Sequence, residues 1–248
     1  MQGLILGMAW VFPGADAAIS LSHTRLVVLA AEPEASPRVT NEGDKPVLLQ
    51  IWLDAGESGA DPQGIVVPFV VMPPVLRLEA GSVKHLRLLY TGLGAVPQDR
   101  ESVYWLNVLE IPPKIQAEAR KNHVQMAFRT RVKVFYRPEA IQMPEGAAHE
   151  KLTFEMQRRG NGGVLSITNP TLIHQTLLEV AIGKDRKQPL ATVEQVEDMI
   201  APGERRKLLV KFDQAEPVPN MKVFFSVLDD FGAVVEGERN LVDAGQLP

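Results

Sequence analysis

The chain of 248 residues contains no cysteine. Disulfide staples, thiol nucleophiles and thiolate zinc sites are therefore excluded, although exported and cytosolic chains alike can lack cysteine, so the compartment stays open on this ground. Positive charge is also short. There are 26 Lys and Arg against 30 Asp and Glu, a formal net charge of −4. A general nucleic-acid binder carries a basic footprint and is disfavoured.

Histidines are few and scattered: His23, His85, His123, His149 and His174, with no pair at metal-ligand spacing. His149-Glu150 opens a metalloprotease-like string, but Thr153 occupies the place of its second histidine. Gly92-Leu93-Gly94 lacks the rest of a dinucleotide fingerprint. A nucleophile elbow and a phosphate loop are missing too. No catalysis, cofactor, metal or nucleotide is expected, and an enzyme is the rival class with no motif behind it. Long hydrophobic runs are also absent; the longest, Gly3–Phe12, falls far below the roughly 20 residues that span a bilayer.

That run has the length of a signal-peptide core. Pro13-Gly14 breaks it, and Ala15 and Ala17 supply small residues ahead of Ala18. No basic residue precedes it, which departs from the usual pattern, and the alternative is a buried N-terminal helix. A leader at 1–17 is the expectation.

What remains is ordinary in composition, 45% hydrophobic and 23% charged, and long enough for two sandwich domains of about 100–120 residues. Short Val, Leu, Ile and aromatic runs alternate with Gly, Pro, Asn and Asp clusters, which reads as all-β. Strands are expected over Ser20–Leu29, Ser36–Thr40, Val47–Trp52, Phe69–Met72, Val75–Leu78, Ser82–Tyr90, Ser102–Ile111 and Val124–Tyr136. A second set runs Leu152–Arg158, Val164–Thr168, Gln175–Ile182, Glu194–Ile200, Arg206–Lys211, Lys222–Leu228 and Ala233–Asn240. In Lys84–Tyr90, Leu86, Leu88 and Tyr90 share one face, and His85, Arg87 and Leu89 the other. Ile115–Asn122 reads as a hairpin loop. Pro138 and Pro144 flank a polar linker, placing the domains at 18–140 and 141–248.

Within the first half stands Val96-Pro-Gln-Asp-Arg-Glu-Ser-Val-Tyr-Trp-Leu-Asn-Val108, followed by Glu110-Ile-Pro-Pro-Lys114. Four more strings fall in order: Pro73-Pro74 with Arg77-Leu78-Glu79, Gly81 with Leu86-Arg87, Arg131–Pro138, and Thr168-Asn169-Pro170-Thr171. Together they resemble the PapD-like periplasmic pilus-assembly chaperones of the chaperone–usher pathway, from Ala18 to about Asn240. The resemblance implies two immunoglobulin-like β-sandwiches set at an angle, boomerang fashion, with a cleft between them. It further implies pilin (fimbrial) subunits and an outer-membrane usher as partners, no nucleic acid, and a free form that is monomeric or a weak self-capped dimer.

It also implies site residues. Val124, Met126 and Phe128 alternate at period 2 and would enter the subunit as a donated strand, completing a sandwich that lacks its last one. The alternative is that they face their own core. Arg25 and Lys133 would anchor the subunit's C-terminal carboxylate. Lys133 has opposite parity to the donor residues, so a bulge or strong twist between them is expected. Glu101, Arg137 and Asp230 would form a charged network across the domain interface, Asp230 being ambiguous beside Asp229. As surface ion pairs these would serve geometry more than stability. The departures are the acidic balance, the short Lys114–His123 loop, and the absence of the disulfide that members often carry in the second domain. The competing class with a sandwich fold is an adhesin or structural pilus component, which would carry an incomplete strand set and an N-terminal donating extension.

Overall fold

The computed structural model describes residues 18–57, 59, 61–114, 125–141, 148–159, 162–193, 196, 199–212 and 220–246. The expected leader at 1–17, the donor candidate Val124, the expected hairpin loop at 115–122 and Pro144 lie outside them.

The first half carries β1 (Ile19–Leu21), β2 (Arg25–Leu29), β3 (Glu34–Ala35), β4 (Arg38–Asn41), β5 (Val47–Asp54), β6 (Phe69–Met72), β7 (Val75–Leu78), β8 (Val83–His85), β9 (Arg87–Tyr90), β10 (Ser102–Ile111) and β11 (Phe128–Arg137). The second carries β12 (Thr153–Arg159), β13 (Gly162–Thr168), β14 (Gln175–Gly183), β15 (Ala191–Thr192), β16 (Met199–Ile200), β17 (Arg205–Lys211), β18 (Lys222–Leu228), β19 (Val234–Asn240) and β20 (Val242–Gln246). Each half is a two-layer immunoglobulin-like sandwich.

In the first domain one sheet runs β2-β11-β10-β5-β7. The facing layer is divided into two pieces, β1-β4-β8 and β3-β9-β6, but it keeps a single register: Arg38 faces His85 and Ala35 faces Leu88. The break falls where Leu86 N–H donates to Pro37 C=O at 2.9 Å, because Pro37 has no N–H to return. The strand expected over Ser82–Tyr90 is therefore divided, although its faces are as expected, with Leu86 and Leu88 buried and His85 and Arg87 exposed. Ser20–Leu29 is also divided. Its first part pairs with β4 and its second runs parallel to β11, so the chain changes sheets at Ser22–Thr24 and closes the sandwich edge.

In the second domain β17-β13-β12-β20 faces a sheet built on β15-β14-β18-β19, with β16 also on β14. The Thr168–Thr171 string closes one end of it. Asn169 is buried; its amide donates to the carbonyls of Ile173, Ile200 and Ala201, and its oxygen accepts from the Thr171 N–H and hydroxyl. A buried amide can be tolerated there because all its groups are satisfied.

Separate cores hold the two layers of each domain. Val39, Leu49, Leu88, Leu106 and Val134 belong to the first, and Met156, Leu165, Ile167, Val180 and Val223 to the second. A small cluster of Ile141, Ala148 and Ile173 sits at the junction.

Candidate functional site

Strand β11 gathers most of the candidate residues, on its two opposite faces. Its register with β10 is regular from Ser102 opposite Tyr136 to Glu110 opposite Phe128. No bulge lies between Phe128 and Lys133, which corrects the expectation from the sequence. Opposite parity is what the geometry requires. Phe128, Thr130, Val132, Val134 and Tyr136 point to the side of the domain core, and Val132, Val134 and Tyr136 are buried in it. Arg129, Arg131, Lys133, Phe135 and Arg137 point to the other side.

Of the three donor candidates, Phe128 opens β11 half-buried, Met126 precedes the strand with 47% of its surface exposed, and Val124 is outside the described residues. The expected strand over Val124–Tyr136 is thus a strand only from Phe128 onward among the described residues. The core-facing parity of Phe128 joins the two readings of this segment: the line that would enter a partner is the same line that enters the chain's own core, carried past the end of it.

Arg25 and Lys133 are brought together by the parallel pairing of β2 with β11, in which they are direct register partners. Arg25 is buried; its guanidinium lies over the Phe135 ring at 5.6 Å, and its Nη1 donates to Leu228 C=O of the second domain at 3.3 Å. It lines an interdomain cleft of about 320 Å³ whose walls include Phe135, Arg137, His174, Val227 and Phe231. Pairing on β2 begins only at Arg25. Among the described residues no strand pairs with the β11 edge over Phe128–Val132.

Glu101, Arg137 and Asp230 meet at the back of this cleft. Arg137 Nη1 and Nη2 donate to the two carboxylate oxygens of Asp230 at 2.8 and 3.0 Å, and its Nε and Nη2 donate to Glu101 Oε2 at 3.0 and 2.7 Å. Burial works against the Arg137 charge, but the hydrogen bonds and charges of Asp230 and Glu101 outweigh it and hold the guanidinium pKa above its ordinary value. The Glu101–Arg137 pair is no surface feature. Their side chains are 2% and 14% exposed, so removing Arg137 strands a buried charge.

Asp229, the ambiguous neighbour, is occupied otherwise: its Oδ1 accepts from the N–H groups of Phe231 and Ala233 and shapes the β18–β19 turn. His174 belongs to the network and went unrecognised in the sequence. Its backbone N–H donates to Glu101 Oε1 at 2.8 Å, and its Nδ1 shares that oxygen at the same distance. No local signal marks it, since the contact joins residues 73 apart.

Tyr136, just before Arg137, stacks on Tyr90 with ring centroids 4.0 Å apart, and Phe69 packs edge-on against Tyr90, Tyr104 and Tyr136. Burial, then the hydrogen bond with Tyr90, pushes the Tyr136 hydroxyl pKa up to about 12. Tyr104 of the Val-Tyr-Trp string and Tyr136 of the Phe-Tyr-Arg-Pro string thus join Phe69 and Tyr90 in one aromatic cluster on the core side of the sheet.

Comparison with known proteins places this geometry. Residues 18–142 match the family model described as pili and flagellar-assembly chaperone, PapD N-terminal domain, and residues 147–239 the pili assembly chaperone PapD, C-terminal domain. The chain is 34% identical to chaperone protein FimB/FhaD of Bordetella pertussis, over 95% of this chain and 93% of that one. The crystal structure of the YadV chaperone superposes with a TM-score of 0.72 at 31% identity, covering 91% of this chain and all of that one. A chain of the Salmonella enterica SafA pilin–SafB chaperone complex superposes with a TM-score of 0.71 at 26% identity, covering 92% and 99%.

Proposed function

The chain belongs to the PapD family of pilus-assembly chaperones, and from that membership and its geometry we propose that it captures a pilin subunit in the periplasm by lending it the start of β11. It then hands the subunit to an outer-membrane usher. The observation that carries this reading is the β11 edge, unpaired over Phe128–Val132 among the described residues and bounded at Lys133 by the start of β2. A visiting strand fits that vacancy in one sense only. Its C-terminus must stop where Arg25 and Lys133 stand, so it runs toward them in line with β2 and therefore parallel to β11.

The chemistry follows from the residues. A guanidinium and an ammonium in register suit a terminal carboxylate, which accepts several charge-assisted hydrogen bonds. Fixing that end fixes the register, so Val124, Met126 and Phe128 all enter the subunit's groove rather than turn away from it. Each apolar side chain so buried contributes about 1.5–3 kcal/mol before ordering costs are subtracted. The Glu101–Arg137–Asp230 network with His174 holds the second domain against the first, and so keeps Arg25 framed by both. The reading contains no catalytic step and no nucleotide: the subunit's unfinished sandwich supplies the driving force.

The test is co-purification from the periplasm with a tagged candidate pilin, wild type against Arg25→Ala plus Lys133→Ala. Wild type should retain a stoichiometric subunit and the double variant should lose it. Equal retention by both would overturn the carboxylate anchor, and no retention of any pilin by wild type would overturn the chaperone reading for this chain.

A further inference from the structure

The outer face of the β11-β10-β5 sheet carries an ionic cluster, built around the buried Asp54 and Asn107, that no role above uses. Asp54, the last residue of β5, is fully buried. Its Oδ1 accepts from Arg131 Nη2 at 2.6 Å and from the Gly56 N–H at 2.8 Å, and its Oδ2 accepts from Asn107 Nδ2 at 2.8 Å and Arg129 Nη2 at 3.2 Å. Asn107 Oδ1 in turn accepts from Nε and Nη2 of Arg129 at 2.9 and 2.6 Å and from Arg131 Nε at 3.1 Å. Trp52 and Trp105 roof the cluster, with the guanidinium carbons of Arg129 and Arg131 at 4.9 and 5.4 Å from their rings. Burial would push the Asp54 carboxyl pKa up, but the donors from Asn107, Gly56 and Arg131 outweigh it and hold the pKa below its ordinary value.

The placement of this cluster is specific. Arg129 and Arg131 lie on the stretch of β11 whose edge β2 leaves unpaired, and Arg129 directly follows donor residue Phe128. A strand end held by a neighbour on one side only frays readily. Here, where no described strand pairs with that edge, two side chains reach across β10 to β5 and hold the strand with charge-assisted bonds. Asp54 lies in register with Trp105, and Trp105 with Lys133, so the same row ties the cluster to the anchor. Gly56 allows the roof to close: its φ is +120°, and a Cβ there would sit 3.3 Å from the Trp105 ring.

Resting on the reading of β11 as donor strand, we infer that Asp54, Asn107, Arg129 and Arg131 form a clamp that holds the base of that strand straight and in register before a subunit arrives. They are positioning residues, acting on capture through Phe128 and the residues before it. Pre-ordering lowers the cost of association without adding a contact to the partner.

The experiment compares the full chain with Arg129→Gln and Arg129→Lys, by amide hydrogen exchange on the free protein and by the rate of capture of the pilin that co-purifies with wild type. Arg129→Gln should speed exchange over Phe128–Val132 on the order of ten-fold or more, the scale of a lost hydrogen bond to a charged group. Lys133–Arg137, flanked on both sides, should be unchanged. Capture should slow several-fold, and Arg129→Lys should restore part of both. Exchange that rises equally through β5, β10 and β11, or local loosening with an unchanged capture rate, would overturn the clamp. If wild type retains no pilin at all, it is the donor-strand reading that fails, while exchange in the free chain still decides whether the cluster holds the strand end.

Discussion

Replacing Arg137 with alanine separates two partners that its guanidinium bonds in equal number. Arg137 bridges Glu101 of its own domain and Asp230 of the other, each with two hydrogen bonds. The Glu101 side chain is 2% exposed and the Asp230 side chain 40%. Arg137→Ala leaves the Glu101 carboxylate buried with only His174 bonded to it among the described residues, a stranded charge that costs about 3–5 kcal/mol. Asp230→Ala leaves Arg137 still held by Glu101 and gives up a half-solvated pair worth about 0–1 kcal/mol. Of the three tryptophans, Trp10 lies in the expected leader and Trp52 and Trp105 in the first domain, so urea unfolding of the chain without that leader, followed by tryptophan fluorescence, reports on the domain that holds Glu101 and Arg137. With a slope of about 2 kcal/mol/M, the midpoint should fall by roughly 2 M for Arg137→Ala and by less than about 0.5 M for Asp230→Ala. Equal shifts for the two variants would refute the argument from burial.

Two further outcomes are expected. The unfolded chain gives up the Tyr136 proton near pH 10 and the folded chain near 12, so the folded state holds the extra proton between these values and stability falls as pH rises through that window. The loss is roughly 2–3 kcal/mol at about 1.4 kcal/mol per unit; urea midpoints from pH 9 to 11.5 should fall more steeply for wild type than for Tyr136→Phe, and parallel curves would count against it. Met126→Glu, at an exposed site ahead of β11, should leave thermal stability within about 0.5 kcal/mol while abolishing pilin retention; retention at the wild-type level would remove Met126 from the donor set.

Much of the fold was legible along the chain because strand alternation is local. Phe69–Met72, Val75–Leu78, Ser102–Ile111 and Lys222–Leu228 are strands with the bounds that their apolar runs suggest, and the faces of Lys84–Tyr90 follow from period 2 alone. The Thr168-Asn169-Pro170-Thr171 string was recognisable as a signature, but its reason was not, since Asn169 is satisfied by carbonyls of Ile200 and Ala201 more than thirty residues away. Strand ends were less legible where the cause lay on a neighbouring strand. Nothing around Leu86 announces the break that Pro37 imposes from across the sheet.

The sequence by itself determined an all-β chain in two halves, with cationic, acidic and apolar candidates in a recognisable order. Only the tertiary structure decided how they meet. It set β2 parallel to β11, so that Arg25 faces Lys133, and gave β11 two faces with no bulge between Phe128 and Lys133. It chose Asp230 over Asp229, added His174, buried what reads as a surface ion pair, and gathered Asp54, Asn107, Arg129 and Arg131 into one cluster. Each of these depends on register or on contact between residues far apart in the chain. Periodicity states which side a residue takes, but what stands on that side is fixed only when the sheets close and the two domains meet.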